Sequence, residues 1–376
     1  MRRVSLLLAV ITALAVAPAT ASAKDPGRWI VTGATSVPND YFQGLTSNPA
    51  DTSVYFTGFF QGLWKTSQWL SRVSGVPVAI PPAVAASEGY NHIGDPSWAR
   101  GEGGRVILPL ECYSPRLGNT CGTGAFGVAD PRTLAWRYYV KLDPAEIPKA
   151  MWAEASPDGK LIWTSVGNDL LAYRTSDVSA GNASPAHAPI RAARRLRNAV
   201  PPSGITGAVF VRGRLLLAGE GERYQVWSVN TRTGGRRLEF EAEMCGESEG
   251  LDTISTLGGE LHWLLSPIDD CELSYPPSSA LVHMIPRPGR PRLTVKVVSA
   301  RLLTLPGRAR VRVRVTRHGR AVRGARVSFA GARSRANRRG FATLWPPLAL
   351  PGRYKALARR GRSYGLSALV PLVSAD

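Results

Sequence analysis

Short apolar runs of β character recur along the chain at a nearly constant interval. They occupy residues 53–57, 105–110, 160–164, 212–217 and 260–265. Measured at the first apolar residue they begin at 54, 106, 161, 215 and 261, in steps of 52, 55, 54 and 46. Turn signals precede several of them: Asp158-Gly159, Arg212-Gly213 and Gly258-Gly259. Most are followed by a second strand whose polar turn leads into a third, as at 125–133 and 225–234. A period near 50 residues with several strands per unit predicts a β-propeller, because one such unit cannot bury both its faces alone. A β-sandwich would not explain the spacing. Five repeats are visible, and a sixth could lie near 180–200 or at the N-terminus. The run 28–31 is placed to complete the last blade by pairing with 281–285, which would zip the ring.

A different pattern follows residue 291. In residues 310–315 Arg and Val alternate, so the two-residue period of a strand puts Val311, Val313 and Val315 in a core and Arg310, Arg312 and Arg314 in a row outside. The hairpin-like 319–329, the Asn337-Arg338-Arg339-Gly340-Phe341-Ala342 turn and Pro351-Gly352-Arg353-Tyr354 complete the module. Together these segments resemble bacterial immunoglobulin-like and carboxypeptidase-regulatory-like β-sandwiches. The acidic residues usual in the turns of such domains are here Arg. The earlier region resembles, in pattern, secreted propellers of the SMP-30/gluconolactonase-like group. The expected fold is therefore all-β, a five- or six-bladed propeller over 24–285, a stiff Pro-rich linker over 286–291 and an Ig-like β-sandwich over 292–376.

Charge follows the same boundary. Residues 291–376 carry 20 Lys or Arg and one acid, Asp376, whereas residues 1–290 carry 27 basic and 26 acidic residues. A basic accessory module on a near-neutral body points to an anionic partner, either a cell-wall polymer or a lipid surface. High-GC coding would explain Arg over Lys but not the missing acids. No nucleic-acid fold motif is present. Residues 1–23 read as a signal peptide, with Arg2 and Arg3, an apolar stretch at 6–16 and a small-x-small site at Ala21-Ser22-Ala23. That reading predicts a secreted or cell-surface protein with no transmembrane anchor in the mature chain. In that setting four cysteines read as disulfides, and local pairing, Cys112–Cys121 and Cys245–Cys271, is the preferred one of three connectivities.

Candidate chemistry lies just before each repeated run, where the innermost strands of a propeller reach its channel. Glu88, His92, Asp95, Glu154, Glu249 and Asp252 fall there. Carboxylates and an imidazole converging from several blades would suit a divalent cation, and hard oxygen ligands favour Ca²⁺. In gluconolactonase-like propellers a Glu, an Asn and an Asp of the channel hold such a metal, so the resemblance implies a lactonase- or esterase-type hydrolase as the alternative to a binding role. That binding role would use a small molecule or protein ligand at the channel. Two other matches are set aside. Gly246-Glu247-Ser248-Glu249-Gly250 fits G-x-S-x-G but is followed by another β run and not by a helix. The segment 122–127 fits G-x-G-x-x-G but opens no amphipathic helix. Most Trp residues sit inside strand runs and are expected as wedges between blades.

Overall fold

The structure, a computed structural model, describes residues 28–48, 52–58, 60–254, 261–266, 279–302 and 305–372. The proposed signal peptide and Cys271 lie outside the described residues. Strand β1 (Trp29–Val37) is reserved for the last blade. Blade 1 is the sheet of β2 (Gly44–Asn48), β3 (Ser53–Thr57), β4 (Leu63–Ser67) and β5 (Arg72–Val76). A short helix, α1 (Pro82–Glu88), leads to blade 2. Its innermost strand is interrupted: β6 (His92–Ile93) and β7 (Ser97–Ala99) both pair with β8 (Arg105–Glu111). A hairpin of β9 (Tyr113–Ser114) and β10 (Gly118–Asn119), closed by the Cys112–Cys121 disulfide, precedes β11 (Ala125–Ala129) and β12 (Trp136–Lys141). Blade 3 comprises β13 (Glu154–Ala155), β14 (Leu161–Val166), β15 (Asp169–Arg174) and β16 (Arg194–Leu196). Blade 4 comprises β17 (Gly204–Val211), β18 (Arg214–Glu220), β19 (Tyr224–Val229) and β20 (Arg236–Ala242).

Blade 5 closes the ring. Strands β21 (Glu247–Asp252), β22 (Leu261–Ser266) and β23 (Ser279–Pro286) take β1 as their fourth member, with Ile30 opposite Ile285 and Leu281 opposite Thr35. The innermost strands touch in cyclic order, β2 to β7, β7 to β13, β13 to β17, β17 to β21 and β21 back to β2. That cycle defines a five-bladed β-propeller among the described residues. Residues 194–196, where a sixth repeat could have begun, are instead the outer strand of blade 3. The repeated apolar runs are the second strands of the blades. Strands β3, β8 and β22 are buried along their whole length, because each is covered on both faces by neighbouring blades. Trp152, Trp163 and Trp263 are fully buried wedges, each costing roughly 3–5 kcal/mol to truncate to Ala.

Beyond the propeller come β24 (Arg290–Pro291), β25 (Thr294–Leu302), β26 (Gly307–Arg317), β27 (Arg320–Ala321), β28 (Arg326–Phe329), β29 (Ala332–Arg335), β30 (Phe341–Leu344) and β31 (Pro347–Leu348). The described residues close with β32 (Gly352–Tyr354), β33 (Leu357–Arg360), β34 (Ser363–Leu366) and β35 (Val370–Leu372). Two sheets, one centred on β26 and one in the order β24-β34-β33-β28-β29, pack around Val311, Val313, Val315, Val327 and Phe329. Burying such a Val stabilises by roughly 1.5 kcal/mol or more. Strand β32 leaves this sandwich and pairs with the free edge of β1, Gly33 opposite Tyr354 and Thr35 opposite Gly352. The sheet of blade 5 therefore runs on through β1 into β32 and β35. A side chain at Gly33 would collide with the backbone of Arg353 and Tyr354, so the close approach requires glycine there. The connecting residues are held as well: Arg287 donates its N–H to Arg28, and β24 pairs in parallel with β34.

Candidate functional site

The centre of the ring is filled. The chain between β6 and β7 bulges inward and delivers Asp95 to the axis, fully buried. Its Oδ1 accepts from Leu45 N–H of blade 1 at 2.9 Å. Its Oδ2 accepts from Ala208 N–H of blade 4 at 3.1 Å and Leu251 N–H of blade 5 at 3.4 Å. Its backbone bridges Trp152 of blade 3. Asp95 of blade 2 thus ties blades 1, 4 and 5 through its carboxylate and blade 3 through its backbone, satisfying amides that the curvature of the ring leaves unpaired. Burial pushes the Asp95 carboxyl well up, against the three amides that favour its charged form. Any side chain at Gly44 or Gly250 would overlap Asp95, and one at Gly207 would overlap the backbone of Glu249. The axis is therefore a packed plug, and any ligand must sit at one mouth or the other.

At the upstream mouth, where innermost strands begin, His92 Nδ1 lies 2.7 Å from Glu111 Oε1, and Lys149 Nζ lies 3.5 Å from Glu111 Oε2. Burial alone would raise the Glu111 carboxyl, but these two partners hold it below the usual range. Glu249 takes a hydrogen bond from Gln43 Nε2 at 3.3 Å. Burial, reinforced by Glu247 and Glu220, pushes it well up. Ser248 is fully buried; Trp263 Nε1–H donates to its Oγ at 3.1 Å and Thr206 Oγ1 lies 2.8 Å away. It is a packing residue, consistent with setting aside the G-x-S-x-G match.

At the downstream mouth stand Glu154 and Asp252. Glu154 accepts from Phe210 N–H at 2.8 Å and from Ser97 Oγ–H at 3.0 Å. Burial, with Asp252 nearby, pushes its carboxyl up to about 8. Burial likewise raises Asp252 to about 7, opposed by the Thr253 N–H that donates to its Oδ1 at 2.6 Å. Asp252 Oδ2 is buried and makes no hydrogen bond of good geometry, although the Ser47 hydroxyl and N–H lie near the carboxylate and favour its charged form. Both acids line a cavity of about 620 Å³, which shares Ser47, Asn48, Phe210 and Thr253 with a larger one of about 890 Å³. The far wall of the larger cavity is the C-terminal module, presenting Arg326, Arg333, Arg335 and Arg359. A continuous cleft thus joins the propeller mouth to an arginine-bearing sheet.

The six sequence-predicted ligands do not share one point. Glu88 lies at the outer edge of blade 2, where Lys141 Nζ sits 2.7 Å from its Oε2 and Tyr139 O–H donates to its Oε1 at 2.8 Å. His92 and Glu249 lie at the upstream mouth, Asp95 in the plug, and Glu154 and Asp252 downstream. Among the described residues no group of three or more His, Cys, Asp or Glu is arranged to hold a metal ion. The physical reason is the plug: it separates the mouths and consumes both oxygens of Asp95. The arginine row is placed as the alternation predicts. Arg310, Arg312 and Arg314 are exposed while Val311, Val313 and Val315 are buried. Missed by sequence reasoning were the aromatic rings beneath that row: Arg312 and Arg314 lie over Phe341, 4.4 and 5.6 Å from its centroid, and Arg310 lies 5.6 Å from that of Trp345. Missed too was the interdomain cleft, since its walls come from opposite ends of the sequence. Cys112–Cys121 is formed, and Cys245 is disulfide-bonded, but the Cys245–Cys271 pairing lies outside the described residues.

The geometry defines the class as a five-bladed β-propeller extended by a basic β-sandwich. No protein-family model matches the chain and no curated protein matches it. Solved structures similar to it include Myxococcus xanthus glutaminyl cyclase, with TM-score 0.42, 10% identity, and coverage of 68% of this chain and 96% of that one. Another is the β-propeller domain of Myceliophteria thermophila Cps50 (Swd1), with TM-score 0.33, 9% identity, and coverage of 84% and 99%. These likenesses are slight, and nothing about the activity of this chain follows from them. Among the described residues no helix is long and apolar enough to cross a membrane.

Proposed function

We propose that this is an exported binding protein whose Ig-like module docks it on anionic envelope material. The observation that carries the reading is the outer face of the β26 sheet. Arg310, Arg312 and Arg314 project from one strand, Lys296 stands opposite Arg314, and Arg301 stands opposite Arg310. Phe341 and the exposed Trp345 lie among them. Like charges directly opposite across a sheet repel, so the row stores a tension that a polyanion relieves. Aromatic rings under guanidinium groups fix their planes, and a Trp beside cations is suited to the polar–apolar boundary of a lipid headgroup layer.

The test is co-sedimentation of the full mature chain with phosphatidylglycerol vesicles, phosphatidylcholine vesicles and a purified anionic cell-wall polymer. Binding should require the anionic material and weaken as salt rises. At about 1 kcal/mol per cation near an anionic surface, the triple variant Arg310→Gln, Arg312→Gln, Arg314→Gln should bind on the order of a hundredfold more weakly. Equal binding to phosphatidylcholine, or binding that ignores the triple substitution, would sink the reading.

A further inference from the structure

A second basic surface faces inward. In the sheet β29-β28-β33 the register places Arg335 opposite Arg326 and Arg326 opposite Arg359, so three guanidinium groups stand abreast on neighbouring strands. Arg333 lies one step along, opposite Ser328. Paired residues of antiparallel strands share a face, and this face lines the cleft of about 890 Å³. Arg326, Arg333 and Arg335 have no acidic partner among the described residues. Neighbouring strands are roughly 4.8 Å apart, close enough for one tetrahedral anion to be gripped by two adjacent guanidinium groups. A phosphate monoester, with nearly two negative charges and three acceptor oxygens, suits such a row better than a single carboxylate.

Across the cleft the chemistry changes. The propeller wall mixes the apolar Phe210 and Ile254 with Arg212 and the polar Ser47, Asn48 and Gln68, and behind them the smaller cavity carries Glu154 and Asp252. Asp252 is the informative one. Its buried Oδ2 makes no hydrogen bond of good geometry, although the Ser47 hydroxyl and N–H lie near enough to favour the charged carboxylate, so a better-placed hydroxyl in the cavity would complete it. Burial holds both acids above the usual carboxylate range, so near neutrality each exchanges between donor and acceptor, which matches a hydroxyl. Each of the two volumes, about 890 and 620 Å³, falls within the range of small-ligand sites.

We infer that the cleft between propeller and module is a binding site for a phosphorylated polyol of sugar-phosphate type, its phosphate on Arg326 and Arg335 and a hydroxyl on Asp252. This site is separate from the outer Arg310–Arg314 row, so the two proposals stand or fall independently. The test is calorimetric titration of the full mature chain with glucose 6-phosphate, glucose and inorganic phosphate. Glucose 6-phosphate should bind at least about tenfold more tightly than either fragment. The double variant Arg326→Gln, Arg335→Gln, at exposed positions, should lose that binding, whereas the outer-face triple variant should keep it. Asp252→Asn should weaken glucose 6-phosphate while leaving inorganic phosphate unchanged. Absence of glucose 6-phosphate binding, parity with inorganic phosphate, or retention in a folded double variant would each overturn the inference. Loss in the outer-face triple variant would overturn it as well.

Discussion

Asp95 shows how a residue can be conspicuous in sequence for one reason and used for another. As an acid ahead of an innermost strand it reads as a metal ligand; in the fold it is the common acceptor for amides 50, 113 and 156 residues away. Contacts at those separations leave no local trace, so the role was not legible. The paired acids downstream allow a prediction at this scale. Asp252 and Glu154, held near 7 and 8, keep protons in the folded state that the unfolded chain releases near pH 4. Their contribution to stability is fully present below about pH 4 and is lost as pH rises through their raised values. Glu249 acts in the same direction. The buried His262 and His283, held below their usual value, act oppositely, and their contribution is lost only as pH falls below about 6.5. Thermal melts between about pH 6.5 and 8.5 should therefore show declining stability in the wild type, with a shallower decline in Asp252→Asn. Identical slopes would remove Asp252 from the linkage.

At the scale of elements, strand β26 was legible almost residue by residue, because a period of two is a local signal that no distant contact has to supply. The second strands of the blades were legible for the complementary reason: burial on both faces makes them continuous apolar runs. Innermost strands were locatable only by position, since glycines such as Gly44, Gly207 and Gly250, which admit the close approach at the axis, carry no hydrophobic pattern. The arginine row has a measurable cost. Arg310 faces Arg301 and Arg314 faces Lys296 across adjacent strands, and such pairs each destabilise by roughly 0.2–1 kcal/mol. Moderate salt should then raise the melting temperature, and Arg314→Gln should raise it at low salt while shrinking the salt response. A melting temperature that falls with added salt in both proteins would contradict this account.

At the scale of the whole molecule, the sequence boundary near residue 291 marks a change of charge but not a break in the hydrogen-bonded structure. Tyr354 of the module reaches into blade 5, its hydroxyl 2.7 Å from Thr35 Oγ1, which lies 2.8 Å from His283 Nε2. The tyrosine is buried and stacked on the His283 ring at 5.8 Å. Pro351-Gly352-Arg353-Tyr354 was readable as a corner, but its attachment to the propeller was not, because the partner strand is made over 300 residues earlier. Removing the hydroxyl in Tyr354→Phe leaves Thr35 short of one partner and should cost about 1–2 kcal/mol. Calorimetry should show that loss in one transition shared by propeller and module. Two separate transitions, only one of them shifted, would show that the modules melt independently.

The double embrace of β1 also sets an order of events in folding. It is among the first strands to be synthesised, yet its neighbours are Ser279–Pro286 on one edge and Gly352–Tyr354 on the other. The first ladder waits for residue 286 and the second for residue 354, and closing loops of that length is slow. Blades 1 to 4 can assemble from local hairpins as they emerge, while the ring stays open with a bare strand edge at each end. Closure of the ring through Ser279–Pro286 then comes late and seating of the module on the other edge of β1 comes later still, so a chain truncated before Gly352 keeps the ring-closing ladder but leaves that second edge of β1 bare.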